Sequence, residues 1–328
     1  MDGLVQLKRA NEGGKGAPHG RLAPKPEWLK VRLPTGEGYT RVRNLLHGLN
    51  LHTVCEESRC PNVAECWGGG TATVMLMGDV CSRGCRFCHV ANGELRPLDP
   101  EEPEHLAEAV AQLGLKYLVV TSVDRDELPD QGAGHFAQAI RALKARSPGT
   151  KLEVLIPDFR GEPDCLAQIV AAGPDVVAHN LETVRRLTPT VRDHRAGYDQ
   201  SLGVLRRLKQ LKPGLPTKSS IMLGLGETRE ELQRAFGDLR AAGVDVLTLG
   251  QYLQPSEWNL KVERFVPPSE FEQLREEALA LGYLYVAAGP LVRSSYRAAE
   301  FFMEAMLHRG TMSSKLGETL GGTLGESA

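Results

Sequence analysis

Three of the chain's seven cysteines, Cys81, Cys85 and Cys88, are spaced C-x3-C-x2-C in MGDVCSRGCRFCHVA, Met77 to Ala91. Three more, Cys55, Cys60 and Cys66, lie upstream as C-x4-C-x5-C, and only Cys165 stands apart. Clustered cysteines in a long chain point to metal ligands or redox groups rather than a disulfide framework. A short loop can deliver three thiolates to one iron–sulfur cubane, which leaves the fourth iron open for substrate or cofactor chemistry. Zinc is the competing reading, with His89 beside Cys88 as a nitrogen donor, but structural zinc pairs come as C-x2-C with a second pair elsewhere. The upstream trio alone is ambiguous between zinc, a cluster of its own and a share in the other site. A single closed site would use four of the six thiols, whereas two three-cysteine sites use them all.

Short apolar runs alternate with helical patterns and must position these loops. Thr71 to Met77, Tyr117 to Thr121, Leu152 to Ile156, Asp175 to Ala178, Thr217 to Leu223, Val244 to Leu249 and Tyr283 to Ala287 read as strands. Between them lie helical faces such as Leu106, Val110 and Leu113, then Phe136, Ile140 and Leu143, then Leu232, Phe236 and Leu239. Asp99-Pro100 reads as N-cap and first helical position, and Ser269 with Glu272 as a capping box. Serial β-α units predict an α/β parallel sheet, either a full or partial (β/α) barrel or a doubly wound sheet, with the barrel favoured. Chemistry then belongs at the carboxyl ends of the strands, where the Cys81 trio follows the first strand directly.

The chain has 328 residues, 41% hydrophobic and 24% charged, a length that can bury a large core and a composition typical of globular proteins. Its formal net charge of −2 gives no basic field, so no nucleic-acid partner is expected. No apolar run is long enough to span a membrane and the N-terminus has no signal-peptide core, so a cytoplasmic protein with no membrane partner is expected. Residues 1–25 and 309–328 are rich in small and polar residues and are expected to be flexible or disordered. The expected division is 26–70, an N-terminal extension carrying the first trio; 71–290, the barrel; and 291–308, a C-terminal segment.

The second trio's motif resembles that of the radical S-adenosylmethionine (SAM) superfamily, C-x3-C-x-aromatic-C, with Phe87 in the aromatic place. Membership implies that Cys81, Cys85 and Cys88 hold a 4Fe–4S cluster whose open iron is chelated by the methionine part of SAM. One electron then cleaves SAM to a 5′-deoxyadenosyl radical. The fold implied is a full or partial (β/α) barrel of the radical SAM type.

Within that superfamily the chain resembles the lipoyl synthases over roughly residues 26–300. The resemblance rests on LHTVCEESRCPNVAECW (Leu51 to Trp67), GTATVMLMGDVCSRGCRFCHV, TSVDRDELPDQGA (Thr121 to Ala133), IPDFRG (Ile156 to Gly161), HNLETV (His179 to Val184), LGQYLQPS (Leu249 to Ser256) and VRSSY (Val292 to Tyr296). It implies insertion of sulfur at C6 and C8 of an octanoyl chain amide-linked to a lysine of a lipoyl carrier domain or H protein. A one-electron reductant is needed. Cys55, Cys60 and Cys66 are implied to hold a second, auxiliary 4Fe–4S cluster that surrenders sulfide, with a serine of Arg293-Ser294-Ser295-Tyr296 as fourth ligand. An alkoxide is held more weakly than a thiolate, which suits an iron that must leave. Ser295 is the chosen serine and Ser294 the alternative.

Other residues carry expectations beside plainer readings. Ile221 to Glu227 resembles the superfamily's GxIxGxxE segment near the SAM adenine, although Ser220 and Met222 depart from it; Gly224 and Glu227 are the cofactor candidates, a tight turn the plain alternative. Asn180 and Glu182, beside His179 at a strand's carboxyl end, are favoured by resemblance as cofactor or substrate contacts. Ser122 and Asp124 stand where the superfamily has a Gly-Gly-Glu motif and are candidate substitutes. Cys165 reads as a packing residue. Arg192 to Arg195 could meet an acidic carrier surface, a solvated loop being the plainer reading. The rival functions are a radical SAM methylthiotransferase, which usually has more domains, and a zinc-stabilised module or electron-transfer protein.

Overall fold

The computed structural model describes residues 24–30, 37–49, 51–57, 60, 62–68, 71–295 and 298. The expectations for 1–23 and 299–328 lie outside the described residues.

One eight-stranded sheet runs in sequence order: β1 (His52–Thr53), β2 (Thr71–Leu76), β3 (Tyr117–Ser122), β4 (Lys151–Leu155), β5 (Val176–Ala178), β6 (Thr217–Leu223), β7 (Val246–Gln251) and β8 (Tyr285–Gly289). All neighbours from β2 to β8 pair parallel, and β1 pairs antiparallel with β2. Among the described residues no pairing joins β8 to β1. This is an α/β fold, a partial (β/α) barrel, and the strictly serial order excludes the doubly wound alternative.

Ten helices are described: α1 (Glu37–Gly48), α2 (Val54–Glu57), α3 (Val63–Gly68), α4 (Glu102–Leu113), α5 (Ala133–Arg146), α6 (Pro163–Ala171), α7 (Thr188–Val191), α8 (Tyr198–Leu211), α9 (Arg229–Ala241) and α10 (Pro268–Ala280). Alternation along each strand divides the core. Leu118 and Val120 of β3 pack outward with Leu106, Phe136 and Ile140 of the helices, while Leu247 and Leu249 of β7 pack against Phe236 and Phe271. Full burial of such side chains contributes roughly 1.5–3 kcal/mol each. The opposite face of the strands is unusually polar. Lys218 Nζ donates to Glu153 at 2.8 Å and the Tyr117 hydroxyl donates to the same carboxylate at 2.7 Å, all three buried. A buried ion pair of this kind is tolerated only when its partners are hydrogen-bonded, as these are.

Two helix starts differ from the sequence reading. Asp99 does not cap a helix at Pro100; its carboxylate accepts from the Glu101 N–H at 2.9 Å in a preceding turn, and α4 begins at Glu102. Ser269 and Glu272 form no capping box, because Pro267 is the cap and Pro268 occupies the first turn, which puts Ser269 inside α10. The capping box belongs to α9, where Thr228 accepts from Glu231 N–H and Glu231 reaches back to the Thr228 N–H. Among the described residues no helix is long and apolar enough to cross a membrane.

Candidate active site

The loop after β2 is set by its exit. Met77 has a φ of 68°, left-handed for a non-glycine residue. Its N–H donates to the buried Glu102 carboxylate at 2.9 Å, and Glu102 also pairs with His135 at 2.6 Å. Gly132 is needed opposite, since a Cβ there would stand 2.3 Å from the Met77 sulfur.

Beyond this exit three regions clamp the Cys81–Cys88 loop. Arg83, 3% exposed at its side chain, donates at 2.7–2.8 Å to both Asp126 and Asp158. The Ser82 hydroxyl donates to Asp126 at 2.7 Å. From the α7–α8 connection, Asp193 accepts from Gly84 N–H at 2.8 Å and Arg195 donates to the Ser82 carbonyl at 2.7 Å. From beyond β7, Asn259 donates to the carbonyls of Arg86 and Cys88 at 3.1 and 2.8 Å. Arg192 to Arg195 is therefore no simple solvated loop: Arg192 is buried, Asp193 and Arg195 bind the cysteine loop, and His194 alone is well exposed.

Backbone N–H groups point at the sulfurs themselves. Asp124 and Arg83 donate to Cys81 Sγ at 3.3 and 3.4 Å, and Asp193 donates to Cys85 Sγ at 3.3 Å. Burial pushes the Cys85 thiol up to about 12, and it raises Cys81 too, where Asp124 adds to the effect. Asp124 is itself raised to about 6 by burial against the pull of Arg83.

The upstream trio forms around α2 and α3. Cys55 lies in α2, Cys66 in α3 and Cys60 between them, its N–H bonded to the Cys55 carbonyl at 3.0 Å. Burial pushes Cys55 up to about 12, and its neighbours Cys60 and Cys66 add to that. Cys60 is raised by burial as well, while the Asn62 N–H and the Arg293 guanidinium favour its thiolate. The sequence-distant Arg293 thus stands beside this trio. Asn62 fixes the approach by donating to the Leu291 carbonyl at 2.6 Å.

The whole Cys81–Cys88 trio and Cys60 of the upstream trio line one cavity of about 590 Å³ at the carboxyl ends of the strands. Its wall includes Cys81, Cys85 and Cys88, with Phe87 and His89, on one side and Cys60, Arg293, Ser294 and Ser295 on another. Cys55 and Cys66 do not line it. Both serines line it, so its outline does not choose between them. Ser122, Asp124, Asn180 and Glu182 also line it. Glu182 has a φ of 70°, its backbone bridges to β6 and its side chain accepts from Asn180 at 3.1 Å. Burial raises the pKa of its carboxyl.

Gly224 and Glu227 are not on this wall. The Glu227 carboxylate turns back to accept from the Gly224 and Leu225 N–H groups at 2.6 and 2.9 Å. Gly224, at φ 96°, leaves room for the Arg264 carbonyl and Gln251. Cys165 is buried on α6, its thiol donating to the Asp130 carbonyl. Sequence reasoning missed Arg83, Asp126, Asp158, Asn259 and Lys25, which also lines the cavity. The one available signal was the concentration of Asp and Arg in TSVDRDELPD, IPDFRG and RDHR.

The donor set fits iron–sulfur clusters and SAM. Three thiols per site are supplied with sulfur-directed N–H groups in a setting where bare thiolates are strongly disfavoured, a penalty that a cationic iron centre offsets. Among the described residues no three His, Cys, Asp or Glu side chains converge as around a single metal ion. For SAM, two buried polar atoms of the cavity residues, Ser122 Oγ and Asn180 Oδ1, have no hydrogen-bond partner among the described groups. Such atoms are uncommon and ask for a ligand.

Residues 75–239 match the family model of the radical SAM superfamily, and residues 6–60 match that of the N-terminal domain of lipoyl synthase. The lipoyl synthase of Myxococcus xanthus is 65% identical over 87% of this chain and 96% of its own. That of Thermus thermophilus is 54% identical over 92% of this chain and 94% of its own. Among solved structures, methylornithine synthase is similar over 78% of this chain and 82% of its own, at 15% identity and a TM-score of 0.48. On the identity and near-complete coverage of these relatives, the chain belongs to the lipoyl synthase family of the radical SAM superfamily.

Proposed function

We propose that the chain inserts sulfur at C6 and C8 of an N6-octanoyl-lysine carried on a lipoyl domain or H protein, giving lipoyl-lysine. The observation that carries this reading is one cavity lined by Cys81, Cys85 and Cys88, by Cys60 of the upstream trio and by the Arg293–Ser295 segment. When bound, SAM and the two 4Fe–4S clusters supply the radical and the sulfur, and a one-electron donor outside the chain starts the reaction.

The chain's own residues bind, orient and exclude water. Cys81, Cys85 and Cys88 hold the SAM-binding cluster, and Phe87 packs with Leu187, Met222 and Tyr252 to keep that loop against the barrel. Ser122, Asp124, Asn180 and Glu182 offer SAM its polar contacts. Arg192 supplies a fixed cation, oriented because it donates to Ser201 Oγ at 2.7 Å, while Ser201 bonds His179 Nε2 at 2.9 Å. Gly224 and Glu227 act behind the wall by shaping the loop that follows β6. Cys55, Cys60, Cys66 and Ser295 hold the auxiliary cluster, with Ser294 as the alternative oxygen. Met75, Val90, Ile156, Met222, Leu253 and Phe265 give the cavity an apolar lining suited to an alkyl chain. The division 26–70, 71–290 and 291–308 separates these tasks. A cytoplasmic setting would keep the seven cysteines reduced, and all seven are free thiols here.

The test is mass spectrometry of an octanoyl-lysine peptide after anaerobic reconstitution and incubation with SAM and reductant. The expected product carries two added sulfurs, and the reconstituted chain carries about eight irons. Cys81→Ala should abolish SAM cleavage. Cys60→Ala should leave cleavage intact and stop sulfur insertion. Stoichiometric zinc without iron, or an unchanged peptide, would overturn the proposal.

A further inference from the structure

The interior of a (β/α) barrel is ordinarily filled by branched apolar side chains, and here three strands place polar groups in it. Lys218 of β6 reaches across β5 to Glu153 of β4, its Nζ donating at 2.8 Å, and the Tyr117 hydroxyl of β3 donates to the same carboxylate at 2.7 Å. Tyr117 is 2% exposed, and the side chains of Lys218 and Glu153 are each 3% exposed. A buried ion pair gives little stability over an apolar filling of the same volume, so its presence asks for another role.

The network lies directly below the cavity, toward the amino ends of the strands. Side chains two residues apart on a strand share a face. Thr121, Leu155 and Ser220 line the cavity, and each stands two residues after Val119, Glu153 and Lys218 respectively. Val119 is in register with Glu153, and Tyr117 shares its face of β3. Ala298, 1% exposed, packs with Tyr117 and Val119. It follows Ser295 by three residues, so the two are at most about 11 Å apart. The serine-bearing segment is thus seated at two places: Val292 against Gly250 of β7 at the cavity, and Ala298 against β3 below it.

We propose that Tyr117, Glu153 and Lys218 are positioning residues of the auxiliary site: they fix the ring on which Ala298 seats and so hold Arg293 to Ser295 at the cavity wall. The inference rests on the reading that a serine of that segment is the oxygen partner of the upstream trio. The Glu153 carboxylate takes hydrogen bonds from two other strands, both strengthened by its charge, and the bond from Tyr117 leaves that ring one orientation. Apolar packing is non-directional and would leave the ring, and the methyl seated on it, free to shift. A ligand oxygen must be held within about 0.5 Å of its working position, which is a demand for direction rather than for buried area.

The experiment uses the full chain, first without metal. Hydrogen exchange is followed by mass spectrometry of peptides covering Val292 to Ala298. Tyr117→Phe keeps the ring and the ion pair and removes the hydroxyl, and these peptides should exchange about tenfold faster. The triple variant Tyr117→Phe, Glu153→Met, Lys218→Met replaces the network with apolar groups of similar size. It should unfold at or above the parent midpoint and show the same faster exchange. After reconstitution both variants should cleave SAM at the parent rate, release auxiliary iron to a chelator severalfold faster and form more 5′-deoxyadenosine per sulfur inserted. Thr228→Ala, a change of stability far from the network, should alter none of these. Parent exchange rates in a folded triple variant overturn the inference, as does faster exchange with the auxiliary iron held as firmly as in the parent. Equal acceleration in Thr228→Ala overturns it too, because the effect is then one of general stability. A parent chain that takes up no auxiliary iron overturns the ligand assignment beneath, while the exchange rates, read without metal, still decide the anchor.

Discussion

Arg83 shows how much of this site is held by one side chain. Its guanidinium serves Asp126 and Asp158 together, with Asp124 3.4 Å away, and these carboxylates come from loops after two different strands. Arg83→Met would leave Asp158 buried without its cation and Asp126 with only the more distant Arg195 and Arg160, at 3.3 and 3.4 Å, and losing such a buried pair typically costs about 3–5 kcal/mol. The expected result is a lower calorimetric midpoint and loss of the Cys81–Cys88 iron while the auxiliary iron stays. Arg83→Lys should fare little better, because an ammonium cannot match the two-pronged geometry. A second residue-scale prediction concerns pH. Burial, aided by Arg192, depresses His179 from 6.5 to about 4, so the folded chain resists protonating it. The unfolded chain takes up that proton below pH 6.5, so stability present above 6.5 is lost as pH falls toward 4. His179 alone should account for a loss of about 2 kcal/mol by pH 5, partly offset by Asp124, whose pKa of about 6 makes it gain stability over the same interval. Urea midpoints of the parent and His179→Gln at pH 7 and 5 check this: the variant should start lower and lose less. Asp126 acts only in stronger acid. Burial opposes its ionisation, but Arg83 and Ser82 outweigh that and hold it at about 2, so its stabilisation persists above pH 4 and fades toward 2.

At the scale of elements, the C-terminal segment depends on β7. Gly250 lies under Val292, and a Cβ there would stand 2.1 Å from the Val292 carbonyl. Gly250→Ala must therefore shift backbone rather than a side chain. It should displace Ser294 and Ser295, make the auxiliary iron labile and leave SAM cleavage intact, which iron release to a chelator and 5′-deoxyadenosine formation would measure. Thr228→Ala, which removes the α9 cap, should cost about 1 kcal/mol and touch neither cluster. The contrast mirrors what was legible in the sequence. Strands β2 to β8 and their helices could be read because period and apolarity are local signals. The cysteine spacings could be read for the same reason. Helix starts were harder: Asp99 and Ser269 had the right residue types, but a turn and a Pro267-Pro268 pair decided the boundaries. The clamp was not legible at all. Arg83 to Asp158 and Gly84 to Asp193 pair residues 75 and 109 positions apart. Composition shows only that Asp and Arg are abundant in those loops, and nothing local says that Glu227 folds back on Gly224.

At the scale of the whole molecule, segments from before and after the parallel strands meet at one chamber. Residues before the first parallel strand supply one trio, residues after that strand supply the other, and residues after the last strand supply the candidate oxygen. A radical made beside Cys81–Cys88 is useful only if the sulfur donor stays within reach of the same bound chain. Among the described residues a hydrogen bond joins these two flanking segments: Asn62 to Leu291, 229 residues apart. Asn62 is buried, so Asn62→Ala removes a donor and leaves the Leu291 carbonyl unpaired, a change of about 1–3 kcal/mol. At 1.4 kcal/mol the open arrangement becomes about ten times more populated. The parallel sheet and the Arg83 clamp are untouched by this change, so SAM should still be cleaved. The sulfur donor should be out of position more often, and cleavage should uncouple from insertion. The ratio of 5′-deoxyadenosine formed to sulfur inserted is the measurement, and it should rise severalfold in Asn62→Ala. If the ratio holds at the parent value while both rates fall together, the bond serves general stability and does not hold the two halves of the site in register.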